Sequence, residues 1–157
     1  MHLCLSRRCA ALLVLAAALL SACATAPSKR CIAAAIPLGG SITCTITLTS
    51  AAGAGAVVGD TVTSPSTARV SSCRMPTDGL VCGVPSGNTL QLTCPDGCSA
   101  GAGFTVTIVA FDSGPLVESI TEPPPPPFGG PPQTFNVTPV PQVIYLPGPN
   151  PFGTATP

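Results

Sequence analysis

Nine cysteines are the residues of this chain with the most chemistry in them, and their positions sort them into groups. Cys4 and Cys9 lie in the first ten residues, and Cys23 closes a run of small apolar residues. Cys31, Cys44, Cys73, Cys82, Cys94 and Cys98 are spread through the rest. Six thiols in a small domain of an oxidising compartment read as three disulfides, with several pairings formally open. Cys73 and Cys82 flank the turn Pro76-Thr77-Asp78-Gly79, Cys31 and Cys44 flank Pro37-Leu38-Gly39-Gly40, and Cys94 and Cys98 bracket Pro95-Asp96-Gly97. Each of these pairs can face across a hairpin or short turn, and Cys82 with Cys94 competes. The only histidine is His2, and no pair of C-x-x-C knuckles occurs, so the sequence predicts no metal site and no cofactor.

The remaining candidates for chemistry are carboxylates. Asp60, Asp78, Asp96, Asp112, Glu118 and Glu122 are the full acidic set. A carboxylate pair can do acid–base work, but Asp78-Gly79 and Asp96-Gly97 read as turns and Asp112-Ser113-Gly114-Pro115 as a hairpin loop. Nucleophilic triads need an imidazole or an equivalent base, and His2 stands in a segment that reads as a removable leader. No catalytic residue is assigned and the expectation is a protein that is not an enzyme. No glycine-rich loop opens a helix and no calcium loop is spelled out.

The leader is Met1 to Ala22. Arg7 and Arg8 precede the apolar run AALLVLAAALL, a charged region followed by a helical apolar core that is short for a membrane span of ~20 residues. Leu20-Ser21-Ala22-Cys23 resembles the lipobox of bacterial lipoproteins. The resemblance implies a diacylglycerol thioether on the Cys23 sulfur, cleavage after Ala22, and a mature chain held to a membrane by lipid on Cys23. Ala24 in place of an aspartate at the next position implies the outer membrane if the source has two membranes, and otherwise the outer face of the cell membrane.

What must position the six cysteines is a set of strands. Ser41 to Thr49 alternates with period two, placing Ile42, Cys44, Ile46 and Leu48 on one face and threonines on the other. Gly103 to Phe111 does the same with Phe104, Val106, Ile108 and Ala110. Asp60 to Thr63, Ala68 to Cys73, Leu80 to Val84 and Thr89 to Cys94 are shorter candidates between Gly, Pro, Asn and Asp. Only 4% of residues are aromatic and 8% charged, with 16 glycines and 20 prolines, which favours short strands over a helical bundle. The expectation is all-β, an antiparallel β-sandwich of about seven to eight short strands.

The stretches IPLGGSITCTITLTSAAGAG, VVGDTVTSPSTARVSSC and SAGAGFTVTIVAF resemble the conserved-repeat domain of bacterial surface proteins, domain of unknown function eleven. The resemblance covers roughly Cys31 to Glu122 and implies an immunoglobulin-like sandwich. The organisation expected is a signal peptide over 1–22, a lipidated tether over 23–30, the sandwich over 31–122, and a Pro-rich disordered or extended tail over 123–157. The tail holds 13 of the 20 prolines. Within it Gln142 to Leu146 has strand propensity and either pairs with a sheet edge or stays solvated.

Beyond the leader, Lys29, Arg30, Arg69 and Arg74 face six acidic side chains. With no basic stripe and no cation interleaved with aromatics, nucleic acid is excluded as a partner. The function expected is a non-enzymatic cell-envelope lipoprotein that displays an immunoglobulin-like domain for structural or protein-interaction purposes. Its partners are the membrane, through lipid on Cys23, and an envelope protein or wall component. The alternative is a small-ligand or glycan-binding surface module, for which a chain with no Trp and one Tyr offers few aromatic platforms.

Overall fold

The computed structural model describes residues 26–124 and 130–146. The leader, Cys23 and the last eleven residues lie outside the described set, as does the expected lipidation site with them. The described residues form an all-β sandwich built mainly of antiparallel strands, as the alternating sequence predicts. Its twelve strands are β1 (Ser28–Cys31), β2 (Ala35–Pro37), β3 (Ser41–Thr47), β4 (Ala56–Ser64), β5 (Arg69–Arg74), β6 (Val81–Cys82), β7 (Thr89–Cys94), β8 (Gly103–Val109), β9 (Gly114–Pro115), β10 (Val117–Glu122), β11 (Gln133–Asn136) and β12 (Gln142–Ile144).

The strands make three sheets. The first has four antiparallel strands in the order β1-β3-β8-β5, the second five antiparallel strands in the order β11-β10-β4-β7-β6, and a small third has the order β2-β12-β9. In the third, β12 runs parallel to β2 and antiparallel to β9. The first two sheets enclose one core. Period-two alternation sends Ile42, Cys44 and Ile46 of β3 and Phe104, Val106 and Ile108 of β8 inward from one side. Val58 and Val62 of β4, Leu90 and Leu92 of β7 and Ile120 of β10 come from the other. The threonines fall on the outer face, where Thr43 and Thr45 of β3 bond Thr107 and Thr105 of β8 through their hydroxyls.

Three expectations are corrected. The strand number exceeds seven to eight because several strands are only two to four residues long, below the length at which alternation is visible. The segment expected to be tether through residue 30 is already sheet: Ser28, Lys29 and Arg30 pair with Thr47, Ile46 and Thr45. Part of the segment expected to be an extended tail also belongs to the fold. The proline-free stretch Gln133–Asn136 pairs with β10 as an edge strand, and Gln142–Ile144 sits between β2 and β9. Proline bars a residue from donating to a ladder, but three or four residues between prolines suffice to pair. Val137 and Val143 are buried as a result.

The six cysteines pair as Cys31–Cys44, Cys73–Cys82 and Cys94–Cys98, the three hairpin-local pairs, and Cys82 does not meet Cys94. Cys31 and Cys44 are direct cross-strand neighbours on β1 and β3. Cys73 on β5 and Cys82 on β6 join the first sheet to the second at one edge of the sandwich. Cys94–Cys98 closes the turn after β7. That turn packs against the other Asp-Gly turn: Ser99 N–H donates to the Asp78 carbonyl at 3.2 Å, and a Cβ on Gly79, which has φ of 91°, would run into the Gly97 carbonyl.

Candidate functional site

In a strand with one buried face, every second residue points into the core, and a charged residue at such a position is carried inside. β4 runs Val58-Gly59-Asp60-Thr61-Val62, so Asp60 shares the inward face with Val58 and Val62. β10 runs Val117-Glu118-Ser119-Ile120, so Glu118 shares it with Ile120. These strands are neighbours, with Glu118 opposite Val62 and Ile120 opposite Asp60, which sets the two carboxyls diagonally on one face of the second sheet. Lys29 projects from β1, at the edge of the first sheet, and reaches across the sandwich.

Lys29 Nζ contacts Glu118 Oε2, and both side chains are fully excluded from solvent. Asp60 has no exposed surface either. Among the described residues, the Lys29 nitrogen and all four oxygens of Asp60 and Glu118 have no hydrogen-bond partner outside this group. One cation faces two carboxyls in an apolar interior, an arrangement that would leave a net charge where charge is costly. Burial is the main influence holding the Asp60 carboxyl well above its ordinary value of 3.8; the Glu118 carboxylate adds to it and Lys29 opposes it. Burial likewise raises Glu118 above 4.5, with the Lys29 charge and hydrogen bond pulling it back. The two carboxyls therefore hold their protons more tightly than surface carboxyls do.

Glu122, one inward position beyond Ile120, is buried apart from this cluster. It accepts hydrogen bonds from the backbone N–H of Thr49 at 3.1 Å and the Thr49 hydroxyl at 3.4 Å. Burial raises its pKa and those bonds, with others from Ser50, offset part of the rise. Its setting is that of a structural clasp between β10 and the loop after β3. Asp78, Asp96 and Asp112 are exposed in turns and loops, as the sequence reading places them.

Of the six carboxylates, the fold brings Asp60 and Glu118 together, a pairing that the sequence reading does not make. Lys29 falls in the segment expected to be tether and lies in β1 instead. The signal for the acids was nevertheless present: VVGDTVTS puts Asp60 in phase with valines, and VESI puts Glu118 in phase with an isoleucine. No comparable signal marks Lys29, because β1 is too short to show a period. Among the described residues, no group of three or more His, Cys, Asp or Glu is arranged to hold a metal ion.

No protein-family model and no curated protein matches the sequence. Among solved structures, the chain is similar to the 35 kDa C-terminal fragment of the major pilin GBS80 of Streptococcus agalactiae, with a TM-score of 0.47 and 10% identity. The match covers 74% of this chain and 55% of that one, so the chain spans about half the length of the pilin fragment. The assignment of a sandwich rests on this chain's own strand pairing.

Proposed function

We propose that this chain is a non-enzymatic cell-envelope lipoprotein that displays an immunoglobulin-like domain from a lipid anchor on Cys23, for a structural or protein-interaction role. The observation that carries the reading is the set of three disulfides, which pairs all six cysteines that follow Cys23. Such a set belongs to an oxidising compartment, and none of the three bonds uses Cys23. The first strand begins at Ser28, so four residues, Ala24 to Pro27, would separate the anchor from the fold and hold the domain close to the membrane surface.

The test is the intact mass of the protein extracted from its native membrane, with Cys23→Ser beside it. The expected mass starts at Cys23 and carries acyl groups, and Cys23→Ser releases the protein from the membrane fraction. A mature mass without lipid would overturn the anchor and make the protein a freely exported one. For the interaction role, crosslinking on intact cells is expected to capture an envelope protein or wall fragment; a domain that crosslinks to nothing but the membrane would leave the structural role alone standing.

A further inference from the structure

The sandwich is tied at both of its edges, by different chemistry. On one side the edge strand of the first sheet, β5, is bonded to the edge strand of the second, β6, through Cys73–Cys82. On the opposite side, the other edge strand of the first sheet, β1, meets β10 of the second through Lys29 and Glu118, with Asp60 of β4 alongside. An ordinary buried ion pair is retained when further hydrogen bonds satisfy its remaining donors and lone pairs. Here five polar atoms are sealed in with no partner outside the group.

We propose that Lys29 and Glu118 are joined by an amide bond formed within the folded chain, with Asp60 as the proton carrier, so that the two sheets are covalently closed at both edges. The reactants are in contact and in an apolar interior, where an ammonium and a carboxylate gain from reverting to neutral amine and neutral acid. The neutral Nζ lone pair forms a bond to Glu118 Cδ. A proton lost from Nζ passes through Asp60 to the departing Glu118 hydroxyl, the C–O bond breaks and one water leaves. Asp60 ends as it began, no electrons are exchanged, and the event occurs once per chain. Fixing amine and acid in contact supplies the effective concentration that condensation lacks in water, and exclusion of solvent opposes the reverse hydrolysis.

The product also resolves the polar bookkeeping of the interior. The amide carries no charge, its N–H can donate to one Asp60 oxygen, and the protonated Asp60 O–H can donate to the amide carbonyl. One neutral carboxyl then satisfies both ends of the new bond. This inference concerns the interior of the fold and does not depend on the anchor or on a binding partner.

The mature full chain, reduced and unfolded, is weighed whole and after trypsin digestion. The expected result is a deficit of one water in the native sequence and none in Lys29→Ala or Glu118→Ala. Asp60→Asn should lack the deficit or acquire it many-fold more slowly. Digestion should fail after Lys29 and yield a branched fragment that joins the Lys29 peptide to the Glu118 peptide. A native chain at full mass would overturn the proposal, and that measurement stands even if a variant fails to fold. So would a deficit mapped by fragmentation to Asp78-Gly79 or Asp96-Gly97, where a cyclic imide also loses water, or to a Lys29–Asp60 link.

Discussion

Asp60 concentrates the physical interest of the molecule at the scale of one residue. It occupies a position where the strand period calls for an apolar side chain, and its burial raises its pKa above 3.8. The folded chain therefore holds this proton more tightly than the unfolded chain does. The stabilisation it provides is complete below 3.8 and is lost as the pH rises through the elevated folded value. Asp60→Asn, which cannot ionise, is expected to flatten the fall in melting temperature on raising the pH from acid to neutral, read by thermal unfolding across a pH series. A residual slope of the same sign belongs to Glu122, whose pKa burial also raises. Ordinary core residues behave without regard to pH. Among the described residues Phe104 is the largest fully buried side chain, and Phe104→Ala is expected to cost about 3–5 kcal/mol in denaturant unfolding at either end of that series.

At the scale of elements, the short strands are decisive. β1 brings Lys29 into the core, while β11 and β12 cover β10 and complete the small sheet. A fragment limited to Cys31–Glu122, the boundaries the sequence resemblance implies, removes all three. It would strand Asp60 and Glu118 without their cation and lose the burial of Val137 and Val143, each worth about 1.5–3 kcal/mol. That fragment is expected to unfold at markedly lower denaturant concentration than one spanning residues 26–146, or not to fold, with chemical denaturation of the two as the measurement. The Cys73–Cys82 link acts between elements as well. Replacing both cysteines by serine is expected to lower stability by about 2–4 kcal/mol and to loosen the β5–β6 edge first. Hydrogen exchange would show this as earlier loss of protection in β5 than in β3 or β8.

Taken whole, the protein compensates for a core poor in aromatics with covalent links between its strands and turns. The full chain has five Phe and one Tyr, and only Phe104 is wholly buried among those described, so few large aromatic side chains add their area to the core. A small core is marginal on its own, so crosslinks carry a larger share of stability. Reduction of the three disulfides in the native chain is therefore expected to lower the unfolding midpoint by more than the Cys73/Cys82 double variant does. Reduction of Lys29→Ala should lower it further still, since that variant also lacks the tie at the opposite edge. The order of these midpoints in a single denaturant series checks the arrangement.

Much of this architecture can be read from residue order alone. The period-two runs of Ser41–Thr47 and Gly103–Val109 announce two central strands, because alternation of seven residues on a half-buried surface has no other economical explanation. The turn residues between cysteines make the three hairpin-local pairs candidates, because a short loop brings its own ends together, but the choice against Cys82 with Cys94 is made by the fold. The two strands are local properties, and local sequence determines them. The meeting of Lys29 with Glu118 and Asp60 is different. Their separation in sequence is long, the strand that carries Lys29 is short, and each taken alone has the character of a solvated surface residue. Only the stacking of one sheet on the other, with β1 at the edge of the first and β10 beside β4 in the second, turns three scattered polar residues into a single buried group.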